Sequence, residues 1–231
     1  MSAHKRPIPT AAEIRREFSS GGYWLTQTVN VRIASYFVGP SIRIGITPNQ
    51  VSVLHLLLAS VTSAIVVALY VNGYIVAASG IAFVGWHISY SLDYADGQLA
   101  RLTNRASAEG GIIDRLCDVV RTSVIVASAW TVVNSGADIG TFGSALVSIS
   151  TCMWILPTIY WGMIRTTGVE LVTPHRLLLA ARELKDFSLH ITVVSLMLVV
   201  SPLALAAAVV TIGMVNGLAV AARLAPAVIR R

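Results

Sequence analysis

Four aspartates within 26 residues have the residue type and spacing for metal-assisted chemistry. Asp93 and Asp96 are three positions apart and Asp114 and Asp118 are four apart, so each pair shares one face of a helix. Four carboxylates facing a common space would match the charge of two divalent cations, and oxygen ligands favour Mg²⁺ or Mn²⁺. Such a pair of cations suits phosphoryl transfer, because it neutralises the attacking and leaving oxygens.

The depth of these aspartates in their helices supports the same interpretation. Asp93 precedes Arg101 by eight residues, which places it about 12 Å inside the helix end. An ionised group within a membrane span costs at least about 2.5 kcal/mol, so it needs a partner cation. Pairing with nearby arginines is the alternative, which suits a single aspartate better than four on two stripes. The same stripes carry small residues that would let a ligand approach the backbone: Gly97, Ala100 and Gly110.

The composition indicates that these helices cross a membrane. The chain has 231 residues, of which 55% are hydrophobic and 12% charged, with a mean hydropathy of +0.72. Soluble domains carry about 25% charged residues, so a soluble domain, a disordered chain and a disulfide scaffold are excluded. We predict an all-α fold, an integral membrane bundle of six transmembrane helices near residues 48–70, 74–101, 108–134, 141–164, 176–200 and 203–224.

The basic residues are distributed unevenly between the two ends of the predicted spans. All 17 fall in the N-terminal region, in 101–121, in 165–185 or in the C-terminal tail, and none in the turns at the opposite end. This predicts a multi-pass protein of the cell membrane with both termini and the aspartates facing the cytoplasm. The net charge of +6 then reflects topology, and no nucleic-acid partner is expected. Residues 1–46 are predicted to form a surface-lying amphipathic arm, and 47–231 a six-helix transmembrane catalytic domain.

The acidic residues belong to a longer fixed pattern. It reads Asp93-x2-Asp96-Gly97-x2-Ala100-Arg101-x8-Gly110-x3-Asp114-x3-Asp118. This pattern resembles the signature of the CDP-alcohol phosphotransferase (CDP-alcohol phosphatidyltransferase) family and departs from it at no fixed position. The resemblance implies an enzyme that transfers a phosphoalcohol group from a CDP-linked donor to an acceptor hydroxyl, with release of CMP.

The resemblance also implies roles for individual residues. Asp93, Asp96 and Asp114 would bind metal, and Asp118 would both bind metal and act as the general base. The segment Ile46–Asn49, before the first span, is similar to one that helps hold the nucleotide in the family. The residues expected around the CDP moiety are Asn49, Gly97, Ala100, Arg101, Ser107 and Gly110.

Basic residues after the fourth predicted span are candidates for acceptor binding. Arg182 and Lys185 are three apart, so they could face one cavity and bind a phosphorylated acceptor such as glycerol phosphate or inositol phosphate. An ordinary positive-inside loop is an equally good interpretation. Arg121 follows Asp118 by three residues and could contact phosphate or neutralise a buried acid. Three histidines lie singly in spans and are interpreted as packing residues: His55, His87 and His190.

The expected donor is CDP-diacylglycerol, with a small polar alcohol or its phosphate as acceptor and a membrane phospholipid as product. A polar donor of the CDP-inositol type is the nearest alternative. A divalent-cation transporter using the same acids is an alternative from another class. Transporters place their sites in both halves of an internal repeat, however, and the later spans carry no second acidic pair. The family resemblance also implies a homodimer.

Overall fold

The chain folds as a bundle of α-helices. The computed structural model describes residues 8–18, 23–167 and 183–229, and within those ranges no residue lies in a strand. This confirms the all-α prediction. A π-helical turn, Thr26–Asn30, leads into the second helix, and a 3₁₀ turn, Glu183–Lys185, precedes the seventh. The α-helices are α1 Ala11–Phe18, α2 Val31–Ile44, α3 Pro48–Val71, α4 Ile75–Leu102, α5 Ala108–Gly136, α6 Gly140–Thr167, α7 Phe187–Val200 and α8 Pro202–Ile229.

Among the described residues, five helices are long and apolar enough to cross a membrane. They are α3, α4 and α5 over their full lengths, Gly140–Tyr160 of α6 and Pro202–Ala222 of α8. The sixth apolar segment, α7, is a helix of 14 residues. The prediction of a multi-pass bundle built from six apolar helices is therefore confirmed in outline.

Helix α7 begins later than the sequence indicated. A single helix was expected over 176–200, but residues 183–185 form a 3₁₀ turn and Asp186 has an extended backbone. The Asp186 carboxylate accepts a hydrogen bond from the Ser188 N–H at 2.9 Å, which caps a helix that starts at Phe187. The expected helix through 183–186 is wrong because this cap was not recognised, and residues 176–182 lie outside the described ranges.

Helix α3 faces the aspartates, and capping interactions determine the residue at which it begins. Thr47 Oγ1 accepts a hydrogen bond from the Gln50 N–H at 3.3 Å, and Gln50 Oε1 accepts one from the Thr47 N–H at 2.9 Å. Pro48 occupies the first helical position, which suits its fixed φ. Gly45 ends α2 with a φ of 75°, a left-handed conformation that glycine adopts without strain. The chain therefore turns sharply from α2 into a well-capped α3.

Close approach of helices holds the bundle together. In lipid, helices associate mainly through packing, so small residues at their contacts matter. A Cβ atom at Gly213 of α8 would overlap the Ser150 carbonyl of α6, and one at Gly85 of α4 would overlap the Thr62 side chain of α3. The apolar core that α3 to α8 share includes Trp86, which is fully buried. These contacts pack α3 closely against α4 and α6 closely against α8.

Five buried residues attach the segment before α2 to the bundle. The Thr26 N–H donates to Asp186 Oδ2 at 3.1 Å, and the Thr26 hydroxyl donates to Asp186 Oδ1. Ser188 Oγ donates to Asn30 Oδ1 at 2.7 Å, and Asn30 Nδ2 donates to the His87 carbonyl at 3.0 Å. The division into an arm, 1–46, and a transmembrane domain stays a prediction, although this segment contacts α4 and α7 directly. We call the five residues the arm clasp: Thr26, Asn30, His87, Asp186 and Ser188.

Candidate active site

A polar cavity of about 540 Å³ lies among α4, α5, α6, α7 and α8. All four aspartates singled out in the sequence line it, two from α4 and two from α5. The two helices are joined by a short turn in which Asn104 has a φ of 54°, a conformation that asparagine tolerates better than most residues. The cavity is also lined by basic side chains, namely Arg101, Arg115, Arg121 and Lys185.

Three of the aspartates converge with a histidine. Asp93, Asp96, Asp114 and His55 each offer one ligand atom, and these atoms all lie within 4.8 Å of one another. His55 comes from α3 and is fully buried, with its Nε2 3.7 Å from Asp93 Oδ1 and 4.0 Å from Asp96 Oδ2. The Ser52 hydroxyl, one turn earlier on α3, donates a hydrogen bond to Asp96 Oδ2. This group could hold a metal ion through carboxylate oxygens and one imidazole nitrogen.

Arg121 connects the fourth aspartate to this group. Its Nη2 donates to Asp118 Oδ1 at 2.7 Å, and its Nη1 lies 3.2 Å from Asp93 Oδ2. The buried guanidinium also faces the rings of Tyr90 and Phe187, whose centroids lie 5.2 and 5.6 Å from its Cζ. Of the two sequence-based interpretations of Arg121, this arrangement corresponds to neutralisation of buried acids. We call the whole set the acid cluster: His55, Asp93, Asp96, Asp114, Asp118 and Arg121.

The charge of the acid cluster favours further cations. One guanidinium offsets one of four carboxylate charges, and like charges held close together in a low-dielectric site repel strongly. The carboxylates are shielded from water to different extents: the Asp96 side chain is 6% exposed and that of Asp118 is 27% exposed. Arg121 pairs with both Asp93 and Asp118, and the Asp93 side chain is 15% exposed. Of these two aspartates, Asp118 is therefore the one that a molecule in the cavity could reach more easily.

The residues expected around the nucleotide fall in two places. Asn49 and Ser107 flank Gly110, because a Cβ atom at Gly110 would lie 3.1 Å from both Asn49 Oδ1 and Ser107 Oγ. Ser107 also caps α5 by accepting a hydrogen bond from the Gly110 N–H at 3.0 Å. Gly97 and Arg101 line the cavity itself, and the Arg101 guanidinium lies 3.5 Å from where a Cβ at Gly97 would be. Each place therefore combines a glycine with polar side chains that lie close to its backbone.

Other residues predicted for the site are placed differently. Ala100 is part-buried on α4 and is not among the residues that line the cavity. Lys185 does line the cavity, whereas its companion Arg182 lies outside the described ranges. Arg101 reaches back to α1, where its Cζ lies 4.8 Å from the centroid of the Phe18 ring. The segment before α2 also contributes to the cavity wall through Tyr23.

Two residues of α3 were missed by the sequence interpretation. His55 was interpreted as a packing residue, and Ser52 was not singled out. A signal for both was present, because Asn49, Ser52 and His55 recur every third residue and so lie on one side of α3. His55 also falls about 10 Å from the start of its helix, close to the depth calculated for Asp93.

Comparison with protein families bears directly on this arrangement. A family model described as CDP-alcohol phosphatidyltransferase matches residues 45–225, which hold all four aspartates. The chain belongs to this family. CDP-alcohol phosphatidyltransferases move a phosphoalcohol group from a CDP-alcohol to an alcohol acceptor, so the chain is a phosphotransferase and the cation-transporter alternative is set aside. No match was found among curated proteins.

Metal dependence is general in the CDP-alcohol phosphatidyltransferase family, and the donor set of this chain fits a divalent cation. Carboxylates from two helices supply hard oxygen ligands. The His55 ring adds a nitrogen, and neither of its ring nitrogens has a hydrogen-bond partner within the described ranges although the residue is fully buried. A cation in contact with these groups would compensate both the carboxylate charge and the orphaned imidazole.

Proposed function

We propose that this chain transfers a phosphatidyl group from CDP-diacylglycerol to a small polar alcohol or its phosphate, releasing CMP, in phospholipid synthesis. The observation that carries the proposal is the convergence of four aspartates of α4 and α5 on one polar cavity inside a membrane bundle. The charge distribution along the sequence supports a cavity that opens to the cytoplasmic side of the cell membrane. A donor that is itself a lipid would reach such a cavity without leaving the bilayer.

The proposed metal ligands are the carboxylates of Asp93, Asp96, Asp114 and Asp118, which would hold two ions of Mg²⁺ or Mn²⁺. Bound there, the ions would neutralise the donor diphosphate and the charge that develops on the departing CMP oxygen. Support comes from the close approach of three of these carboxylates and from the ion pair that joins Asp118 to Asp93 through Arg121.

We assign the general base to Asp118. The acceptor oxygen would form a bond to the β-phosphorus while the bond from that phosphorus to the CMP oxygen breaks, and CMP would leave with the electron pair. The acceptor hydroxyl proton would pass to Asp118. Its greater exposure to the cavity suits contact with an acceptor, and the Arg121 guanidinium at 2.7 Å orients the carboxylate.

The nucleotide is proposed to lie across the two glycine-bearing places. Asn49 and Ser107 would form hydrogen bonds to the nucleotide next to Gly110, where the lack of a side chain lets these two polar groups lie close to the helix backbone. Arg101 would bind phosphate oxygens with its planar guanidinium above Gly97. We assign Ala100 to the same face, as a small residue that lets helix and ligand approach.

The acceptor is proposed to enter beside Lys185, with Arg182 as the second basic residue. Lys185 lines the cavity and would attract a phosphorylated acceptor as a cation on its wall. Arg121 is a third candidate, because its guanidinium lines the cavity and has further N–H groups that could bind phosphate while it keeps its contact with Asp118. We also propose that the enzyme forms a homodimer, which chemical cross-linking in native membranes would test.

The decisive experiment measures CMP release by purified protein in detergent. CDP-diacylglycerol is supplied with a panel of acceptors that includes glycerol phosphate, inositol phosphate and free inositol, with EDTA and then with Mg²⁺ or Mn²⁺. Metal-dependent CMP formation that rises with one acceptor is expected. The matched control is Asp96→Asn, which keeps side-chain size and removes one ligand charge. CMP release only from a polar CDP-alcohol would replace the lipid donor, and no release from any donor would overturn the proposal.

A further inference from the structure

The three buried span histidines differ in how their ring nitrogens are satisfied. His87 Nε2 lies 3.0 Å from Thr192 Oγ1 and its Nδ1 lies 3.3 Å from Asn30 Nδ2. His190 Nε2 lies 2.8 Å from the Leu184 carbonyl oxygen, so this ring has one hydrogen bond, although its Nδ1 has no partner among the described residues. His55 is fully buried, yet neither of its nitrogens has a hydrogen-bond partner among the described residues. A packing role accounts for the first two histidines and leaves His55 with an uncompensated polar ring.

The distances around His55 argue against a simple ion pair. A protonated histidine paired with a carboxylate lies at about 2.7–2.9 Å from the oxygen. His55 Nε2 is 3.7 Å from Asp93 Oδ1 and 4.0 Å from Asp96 Oδ2, too far for that contact. Ligand atoms that each bind one cation at about 2.1 Å are separated by about 3–4 Å. The two separations of His55 Nε2 therefore suit atoms arranged around a common ion, in a group whose ligand atoms all lie within 4.8 Å of one another.

We propose that His55 is a metal ligand, whose neutral imidazole joins Asp93, Asp96 and Asp114 and makes this position prefer Mn²⁺ to Mg²⁺. The proposal rests on the proposed function in that both use the same aspartates. Imidazole is a softer ligand than carboxylate and strengthens binding of transition-metal ions relative to Mg²⁺, which favours oxygen and retains its waters. Ser52 supports this geometry, because its hydrogen bond to Asp96 Oδ2 holds that carboxylate beside the histidine.

The two proposed cation positions would then differ chemically. Asp118 is not part of the four-residue group that includes His55 and is engaged by Arg121. The position near Asp118 would have oxygen ligands only, whereas the position near His55 would have a nitrogen ligand as well. We therefore expect the first equivalent of Mn²⁺ added to the protein to occupy the His55 position.

Pulsed electron paramagnetic resonance of the Mn²⁺-loaded full chain tests the assignment directly. A ¹⁴N coupling to Mn²⁺ is expected with the first equivalent, and labelling with ¹⁵N-histidine should convert it to a ¹⁵N coupling. His55→Gln should remove the coupling and weaken Mn²⁺ binding by at least about tenfold, with a smaller effect on Mg²⁺ measured by competition. His87→Gln, a buried histidine outside the acid cluster, should retain the coupling.

Each outcome supports or contradicts the assignment. Binding of Mn²⁺ by the wild-type chain without histidine coupling, or unchanged Mn²⁺ affinity in His55→Gln, would overturn it. The isotope experiment needs no substitution, so a variant that fails to fold leaves the test intact. Metal-dependent CMP release without nitrogen coupling would remove the His55 assignment and keep the proposed function. Nitrogen coupling without CMP release from any donor would keep the His55 assignment and overturn the proposed function.

Discussion

The acid cluster and the arm clasp are both buried, polar and built around aspartate, but they are satisfied differently. In the arm clasp, the Asp186 carboxylate accepts hydrogen bonds from the Thr26 N–H, the Thr26 hydroxyl and the Ser188 N–H. In the acid cluster, the buried Arg121 pairs with Asp93 and Asp118, and neither nitrogen of the His55 ring has a hydrogen-bond partner in the part of the chain that the structure describes. The carboxylate of the arm clasp is satisfied by hydrogen bonds from the protein, whereas the acid cluster carries excess negative charge that a bound cation would neutralise.

This difference separates a structural polar network from a functional one. A buried network in which every donor meets an acceptor fixes the relative positions of its helices. A cluster with excess like charge destabilises the isolated fold and stabilises the complex with a cation, because the ligand relieves the repulsion. Substitutions in the arm clasp should therefore reduce stability, and substitutions in the acid cluster should reduce metal binding and turnover.

The largest effect is expected from Asp118→Asn. The substitution keeps the shape of the side chain but removes a metal ligand and the proposed base, so CMP release should fall by about 10²–10⁴-fold. Donor binding should be largely retained, and melting in detergent should occur at an unchanged or higher temperature because repulsion among the acids is reduced. Turnover near the wild-type rate would show that the base is another residue.

The second-largest effect is expected from Asp186→Asn, and it is a loss of stability. The neutral amide can accept at only one of its two positions, so either the contact from the Thr26 N–H or that from the Ser188 N–H is lost, and the free energy of unfolding should fall by about 1–3 kcal/mol. Thermal melting monitored by circular dichroism measures this change. The control is Asp138→Asn, an exposed aspartate whose Oδ1 accepts from the Gly140 N–H at 3.3 Å. Equal melting temperatures for the two variants would contradict the structural role of the arm clasp.

The smallest and sharpest contrast compares two serines. Ser52→Ala removes the hydrogen bond to Asp96 and should lower Mn²⁺ affinity about tenfold with little change in stability. Ser188→Ala removes the hydrogen bond to Asn30 and should lower stability by about 1 kcal/mol without changing Mn²⁺ affinity. Titration of free Mn²⁺ by electron paramagnetic resonance, together with melting curves, measures both quantities. Equal changes in Mn²⁺ affinity and in stability for the two variants would contradict the distinction between the acid cluster and the arm clasp.

The part of the site that lies on α4 and α5 could be predicted from the sequence. The spacing of the aspartates determines which helix face each one occupies, and apolar run lengths reveal the helices that carry them. The short turn between α4 and α5 makes the two faces neighbours in space. Local chemistry therefore accounts for the location of Asp93, Asp96, Asp114 and Asp118 around one cavity.

The contribution of α3 could not be read from spacing alone. His55 lies 38 residues before Asp93, and only the packing of α3 against α4 and α5 brings the two together. The sequence left two interpretations of Arg121 open, contact with phosphate or neutralisation of a buried acid, because the position of α4 relative to Arg121 decides between them. The arm clasp was not predicted for the same reason, since it joins residues 160 positions apart. The start of α7 was predicted wrongly because Asp186 acts as a cap, a role that hydropathy does not reveal.

The link between Thr26 and Asp186 has a consequence for how the protein is made. A chain is synthesised and inserted from its N-terminus, so the residues around Thr26 emerge long before their partners on α7 exist. They must remain undocked while α3 to α6 are completed, and contacts between such distant residues form slowly. Docking of this early segment also brings Tyr23 to the wall of the cavity that the late residue Lys185 lines. A partly synthesised chain therefore carries all four aspartates but an unfinished cavity, and transfer activity can begin only when nearly the whole chain has been produced.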